Sequence, residues 1–207
     1  EVRELVLPVP RTLREIIRKR LAPMTPSGRA VALALALSRF NLDVDLLCEV
    51  TSLDEGAVLS GLDELVSNRL VREVHRGGAD RFELDRNRVA DVLIDETAPE
   101  EVVRLHRRIA NGIEVRHRRR TDAVVEALAH HFALGLWPAK AVPYLTQSAE
   151  KLSQRAFVAE ALSRIDRALA LEPEARRYLT LDEADRRLAD LLLARAKALV
   201  HLGRWKD

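Results

Sequence analysis

At 207 residues, with 47% apolar but only 4% aromatic side chains, the chain can bury a real core, and that core must be built from Leu, Val and Ala. Such a composition belongs to packed helices rather than to a β-sandwich. The 34 Lys and Arg nearly balance the 32 Asp and Glu, and the net charge of +2 excludes a global field favouring nucleic acid or an anionic membrane. The single cysteine, Cys48, lies in an apolar stretch and reads as a buried, inert thiol. It excludes a disulfide framework and a thiolate metal cluster, and it fits a reducing cytoplasm.

In chain order, Pro8 and Pro10 break the start, after which Leu13, Ile16, Ile17 and Leu21 keep helical spacing until Pro23 and Pro26 end it. Thr25 or Ser27 is placed to cap the next helix, whose Ala-rich body from Arg29 to Leu37 is apolar nearly all round and therefore central. Its apolar run, Ala30 to Leu37, is the longest in the chain and far short of the roughly 20 residues that span a bilayer. A short helix follows from Asp43 to Val50, capped by Asp43 or Asp45, and a longer one from Asp54 to about Ser67 with Val58, Leu59, Leu62, Leu65 and Val66 on one stripe. Leu70, Val71 and Val74 read as a strand, His75 to Asp80 with Gly77 and Gly78 as a turn, and Arg81 to Leu84 as the returning strand. Three helices followed by a β-hairpin is the order of a winged helix.

Beyond the hairpin the pattern returns to helix: Val89, Val92 and Leu93, then Val102, Leu105, His106, Ile109 and Ile113, with Pro99 in a first helical turn. Further helices are expected over about Asp122 to Leu134, Ala139 to Leu152, Phe157 to Leu171 and Leu181 to Leu202. Loops this short make antiparallel neighbours. Ala161, Ile165, Ala168 and Pro173 are spaced by 4, 3 and 5 residues, so that the two small side chains share a face and Pro173 stops the helix. This resembles the second helix of a tetratricopeptide repeat, with Leu145, Ala149 and Leu152 supplying the first. Leu192, Ala196, Leu199, Gly203 and Trp205 match another first helix and its turn, and Gly135, Trp137 and Ala141 give a weaker echo. The expectation is a mostly α chain in two parts: a winged-helix-like domain with a small β-hairpin over 1–97, and an α-α superhelical, tetratricopeptide-like array over 98–207 with its last repeat truncated. A start at Glu1 without an initiator Met or a signal-peptide pattern reads as an internal fragment.

Several segments taken together carry a family resemblance: Leu7-Pro8 with Arg20-Leu21, Leu62 to Leu70, Arg81-Phe82 to Leu93, Arg104-Leu105-His106-Arg107-Arg108-Ile109-Ala110, and Gly135 with Ala141. In that order they resemble the region after the nucleotide-binding module of signal-transduction ATPases, especially the large ATP-binding LuxR-type transcriptional regulators and the maltose-regulon activator. The resemblance implies a parent protein that binds ATP or ADP upstream, a winged helix that packs on that ATPase core and holds the resting state, and repeats that sense a protein, peptide or small inducer. It also implies transcription regulation, often through a DNA-binding domain after the repeats. The family often carries a phosphate-contacting His where this chain has Leu84, and Leu84 cannot make that contact.

No Gly-x-x-x-x-Gly-Lys loop is present to surround a phosphate, and there is no Ser/His/Asp set, recognisable carboxylate pair or metal-ligand spacing. No cofactor, metal or catalytic residue is therefore expected in this segment. The helix over Asp54 to Ser67 would enter the major groove if the winged helix bound DNA, yet it carries Asp54, Glu55, Asp63 and Glu64 and no cation. Direct DNA binding is accordingly disfavoured, although a winged-helix DNA binder with a helical dimerisation tail stands as the alternative. Candidate contact residues are Arg76 and Arg81 in the wing, the run Arg116, Arg118, Arg119 and Arg120, and the aromatic residues Trp137, Tyr144 and Tyr178. Each has a plainer use, as solvated charge, as cations at a helix C-terminus, or as core filler.

Overall fold

The computed structural model describes residues 11–38, 42–76, 79–84 and 88–204, and their side chains except at 11, 12, 72–81 and 83. The expected Pro8 and Pro10 lead-in, the Gly77-Gly78 turn and Trp205 lie outside the described residues. The chain is mostly helical, and it divides into two compact units, one up to Leu105 and one from His106. The division falls between Leu105 and His106, inside a helix.

The first unit holds α1 (Arg11–Leu21), α2 (Pro26–Leu37), α3 (Val44–Thr51), α4 (Glu55–Ser67), strands β1 (Val71–Arg76) and β2 (Ala79–Leu84), and α5 (Arg88–Asp95). Thr25 caps α2 by accepting from the Gly28 N–H, Asp43 caps α3 by accepting from Leu46, and Asp54 caps α4 by accepting from Ala57. Each side-chain oxygen satisfies an amide that would otherwise lack a partner in the first turn. α2 is the central element: Val31, Ala32, Leu33, Ala34, Leu35 and Leu37 are all buried, and α3, α4, α5 and β2 pack around it. Where α2 meets α4, Gly61 is the point of closest approach. A Cβ there would lie 3.1 Å from the Ser27 carbonyl oxygen and 3.2 Å from the Gly28 nitrogen, both backbone atoms. The Glu64 carboxylate, one turn further along α4, accepts from the Thr25 N–H and hydroxyl and so ties the start of α2 to this crossing.

The two strands pair antiparallel with Val71 opposite Leu84 and Arg76 opposite Ala79, so His75, Arg76, Ala79 and Asp80 are paired residues rather than turn residues. Leu42, between α2 and α3, makes a further antiparallel bridge to Phe82 of β2. Arg14 pairs with Asp95 at 2.8 Å, and Arg18 and Arg29 converge on Glu96 at 2.6 and 3.1 Å, joining α1 and α2 to the end of α5. The hydrogen bond from Arg18 holds the Glu96 carboxyl below its usual range. Cys48 is partly exposed rather than buried, and desolvation raises its pKa, which keeps it a thiol.

α6 (Pro99–Arg116) opens on Pro99 and contains the division. The second unit continues through a 3-10 turn at Thr121–Val124 into α7 (Val125–Leu134), α8 (Pro138–Gln154), α9 (Val158–Ala175) and, after a 3-10 turn at Arg176–Tyr178, α10 (Leu181–His201). α7, α8, α9 and α10 each pack chiefly on their neighbours in sequence. The ion pairs Asp166–Arg195 and Arg176–Asp185 set α9 and α10 antiparallel. Ala141, Ala149, Ala161 and Ala168 are buried at the contacts, where their small volume lets the helix axes approach.

Pro173 does not stop α9, which runs on to Ala175 with the proline inside its last turn. So near the C-terminus only one backbone hydrogen bond is sacrificed, and continuation buries Ala175 completely. Four of the described helix ends share one backbone signature, the first at the end of α4, where left-handed Arg69 (φ 53) is followed by the Leu70 N–H donating to the Leu65 carbonyl. After α7, α8 and α10 a left-handed residue (Leu136 φ 49, Ala156 φ 64, Gly203 φ 68) is followed by an N–H that donates five residues back: Trp137 to Phe132, Phe157 to Leu152, Arg204 to Leu199. These are Schellman-type stops, which satisfy carbonyls left over at a helix end and reverse the chain sharply.

Candidate functional site

The reversal at Ala156 turns α9 back along α8, and the descent into α10 brings a third helix alongside. Between α8 and α10 lies a groove of about 940 Å³, open to solvent and floored in part by Ile165 of α9. Along α8 it is lined by Pro143, Thr146, Glu150 and Ser153, spaced three and four residues apart and so on one helical face. This face adjoins the stripe of Val142, Leu145 and Ala149 with which α8 packs, and buried Ala149 also lines the groove. Along α10 the matching face offers Asp190, Leu193, Ala194, Lys197 and His201, with buried Leu191 and Ala198 beneath.

Charge on the groove is mixed, with Glu150, Glu183 and Asp190 against Arg186, Arg187 and Lys197. Glu183 is already engaged, because its carboxylate accepts from the Thr180 N–H at 3.0 Å and the Thr180 hydroxyl at 2.8 Å, closing a capping box at the start of α10. Those hydrogen bonds hold its pKa below the ordinary carboxylate value. Arg187 differs from the rest. Its Nε and one terminal nitrogen are buried and have no hydrogen-bond partner.

The residues singled out from sequence fall elsewhere. Trp137 and Tyr144 both pack on Phe132, which is fully buried: Trp137 meets it edge-on at 5.9 Å and Tyr144 stacks on it at 5.6 Å. The Tyr144 hydroxyl donates to Glu114 at 2.8 Å, and burial, reinforced by that carboxylate, pushes its pKa up to about 12. Lys140 pairs with the same Glu114 and lies 5.2 Å from the Phe132 ring centre. Tyr144 and Trp137 therefore knit α6, α7 and α8 together and do not line the groove. Tyr178 is 73% exposed on the turn after α9, also outside it. Arg116 is half-buried at the end of α6, while Arg118, Arg119 and Arg120 are exposed beyond it. Arg76 and Arg81 belong to the paired strands, and their side chains lie outside the described residues.

His106 is 4% exposed, and its Nδ1 lies 2.8 Å from Nδ1 of fully buried His131, so between two neutral rings one Nδ1 donates and the other accepts. His130 meets both rings edge-on. Desolvation, aided by the charge of Arg167, lowers the His106 pKa to about 4. Among the described residues no group of three or more His, Cys, Asp or Glu is arranged to hold a metal ion, and no helix is long and apolar enough to cross a membrane.

Sequence reasoning passed over the groove. Its α8 wall is the ordinary polar face of an amphipathic helix, and nothing local tells such a face from a solvated one. No protein-family model, no curated protein and no solved structure matches the chain.

Proposed function

We propose that this chain is a regulatory interaction module, in which the first unit acts as a winged helix and the second as a tetratricopeptide-like array whose concave face binds a peptide segment of a partner. The observation that carries this reading is the groove between α8 and α10. Its walls are the faces that would turn inward if Leu145, Ala149, Ala161 and Ala168 occupy the repeat's packing positions. For the first unit, the order α2, bridge at Leu42, α3, α4, β1, β2 supports a winged helix in which the strand-like residue between the first two helices joins the wing. The resemblance to ATP-binding LuxR-type regulators adds an upstream ATPase core as the partner of that unit, and a role in transcription regulation, within the cytoplasm.

Groove recognition is tested by selecting a displayed library of random heptapeptides against the whole chain and measuring the hits on wild type and on Ala194→Trp, whose indole would fill the groove. Tight binders that lose affinity about 10-fold or more on Ala194→Trp, with unchanged circular dichroism, are the expected result. Failure to select binders, or binding indifferent to Ala194→Trp, would remove the reading.

A further inference from the structure

We infer that the exposed face of α4 docks a basic amphipathic helix of a protein partner, with the partner's apolar seam on Leu59 and Val66 and its Lys or Arg side chains on the carboxylates around them. This surface belongs to the first unit and is separate from the groove. Gly56, Leu59, Asp63 and Val66 are spaced by three, four and three residues and share one helical face, turned away from buried Val58, Gly61, Leu62 and Leu65. Leu59 is 43% exposed and Val66 44%. Seven residues apart in the sequence, they form an apolar ridge about 10 Å long at 1.5 Å per residue. Gly56, Ser60 and Ser67 beside it are exposed and small enough to let a second helix approach.

Charge selects the occupant. Between Arg39 and Arg69 the sequence has no Lys or Arg, and Asp45, Glu49, Asp54, Glu55 and Asp63 are exposed on α3, on α4 and on the turn between them. Three of these carboxylates converge on one side chain: after desolvation, the charges of Glu55, Asp45 and Asp54 raise the Cys48 pKa. Arg20, which donates to the Asn68 carbonyl, and Arg69 stand at the C-terminal end of α4. Like charges gathered on one surface oppose folding by mutual repulsion, whereas a cationic partner turns the same field into faster encounter and a fixed register. The field repels nucleic-acid phosphates and anionic lipid headgroups. Among the described residues no group of three or more His, Cys, Asp or Glu is arranged to hold a metal ion. A ridge rather than a pocket is answered by a surface with regular grooves of its own, which a helix has.

The test uses a fluorescein-labelled peptide of Leu, Ala and Lys, about five helical turns long, with a single apolar seam. Its control has the same composition scrambled so that no seam forms. Both are titrated by anisotropy against the full chain, against Leu59→Asn, and against Glu55→Gln combined with Asp63→Asn. A further variant, Glu100→Gln combined with Glu174→Gln, neutralises two exposed carboxylates on other helices, and circular dichroism checks the fold of each. The seamed peptide is expected to bind and to lose about 10-fold or more in affinity on Leu59→Asn, on the Glu55 and Asp63 pair, and on raising NaCl from about 50 to about 300 mM. The scrambled peptide should be weaker by a similar factor, and the Glu100 and Glu174 pair should change nothing. No binding of the seamed peptide, equal binding of the scrambled one, or losses at α4 no greater than at Glu100 and Glu174 would overturn the assignment. Ala194→Trp should leave this binding unchanged, so the groove and the α4 face stand or fall separately.

Discussion

His106 shows how one residue couples burial to pH. With its imidazole held neutral to about pH 4 in the folded chain and titrating near 6.5 when unfolded, the unfolded state binds the extra proton between those values. This contribution to stability is complete above about pH 6.5 and is lost as pH falls toward 4. Urea denaturation should show a loss of about 2 kcal/mol between pH 7 and pH 5 from this group, and His106→Gln should flatten that part of the profile. A profile unchanged in the variant would assign the pH dependence to other groups. The sequence placed His106 on an apolar stripe and so among core residues. Its partner, His131, stands beside His130 in the sequence, and the 2.8 Å contact joins helices whose packing no local pattern specifies.

At the scale of elements, starts were more legible than stops. Thr25 and Asp43 were readable among the candidate caps, beside Ser27 and Asp45, because a cap is a contact between a side chain and an amide two or three residues on. The end of α9 was misread, since whether Pro173 ends a helix depends on what the following turn gains by burial. The reversing turns were legible only where glycine marks them. Leu136 and Ala156 adopt the same left-handed conformation as Gly203 without its freedom. A side chain there is strained by about 1 kcal/mol, so Ala156→Gly should raise stability by roughly that amount, read as a higher urea midpoint at unchanged m-value. A lower midpoint would show that the methyl group at this exposed turn is packed rather than strained.

For the whole chain, the near balance of charge and the acidic face of α4 predict how it meets DNA. Asp54, Glu55 and Asp63 are exposed there, so duplex binding should be negligible at physiological salt and should lack the steep salt dependence of phosphate contacts. A slope of log affinity on log salt of several units, reduced by charge reversal at Arg118, Arg119 and Arg120, would instead make that basic run a nucleic-acid site.

What the sequence determined by itself is the mostly helical class, the helix starts and the small residues that let helices approach, because each follows from side-chain volume, periodicity or hydrogen bonds made within one turn. Only the tertiary structure decided which helical faces line a groove and that Nε and one terminal nitrogen of Arg187 are buried. Both depend on α8 and α10 being brought side by side across α9, and the position of one helix relative to another is a property of packed surfaces that no single stretch of sequence contains.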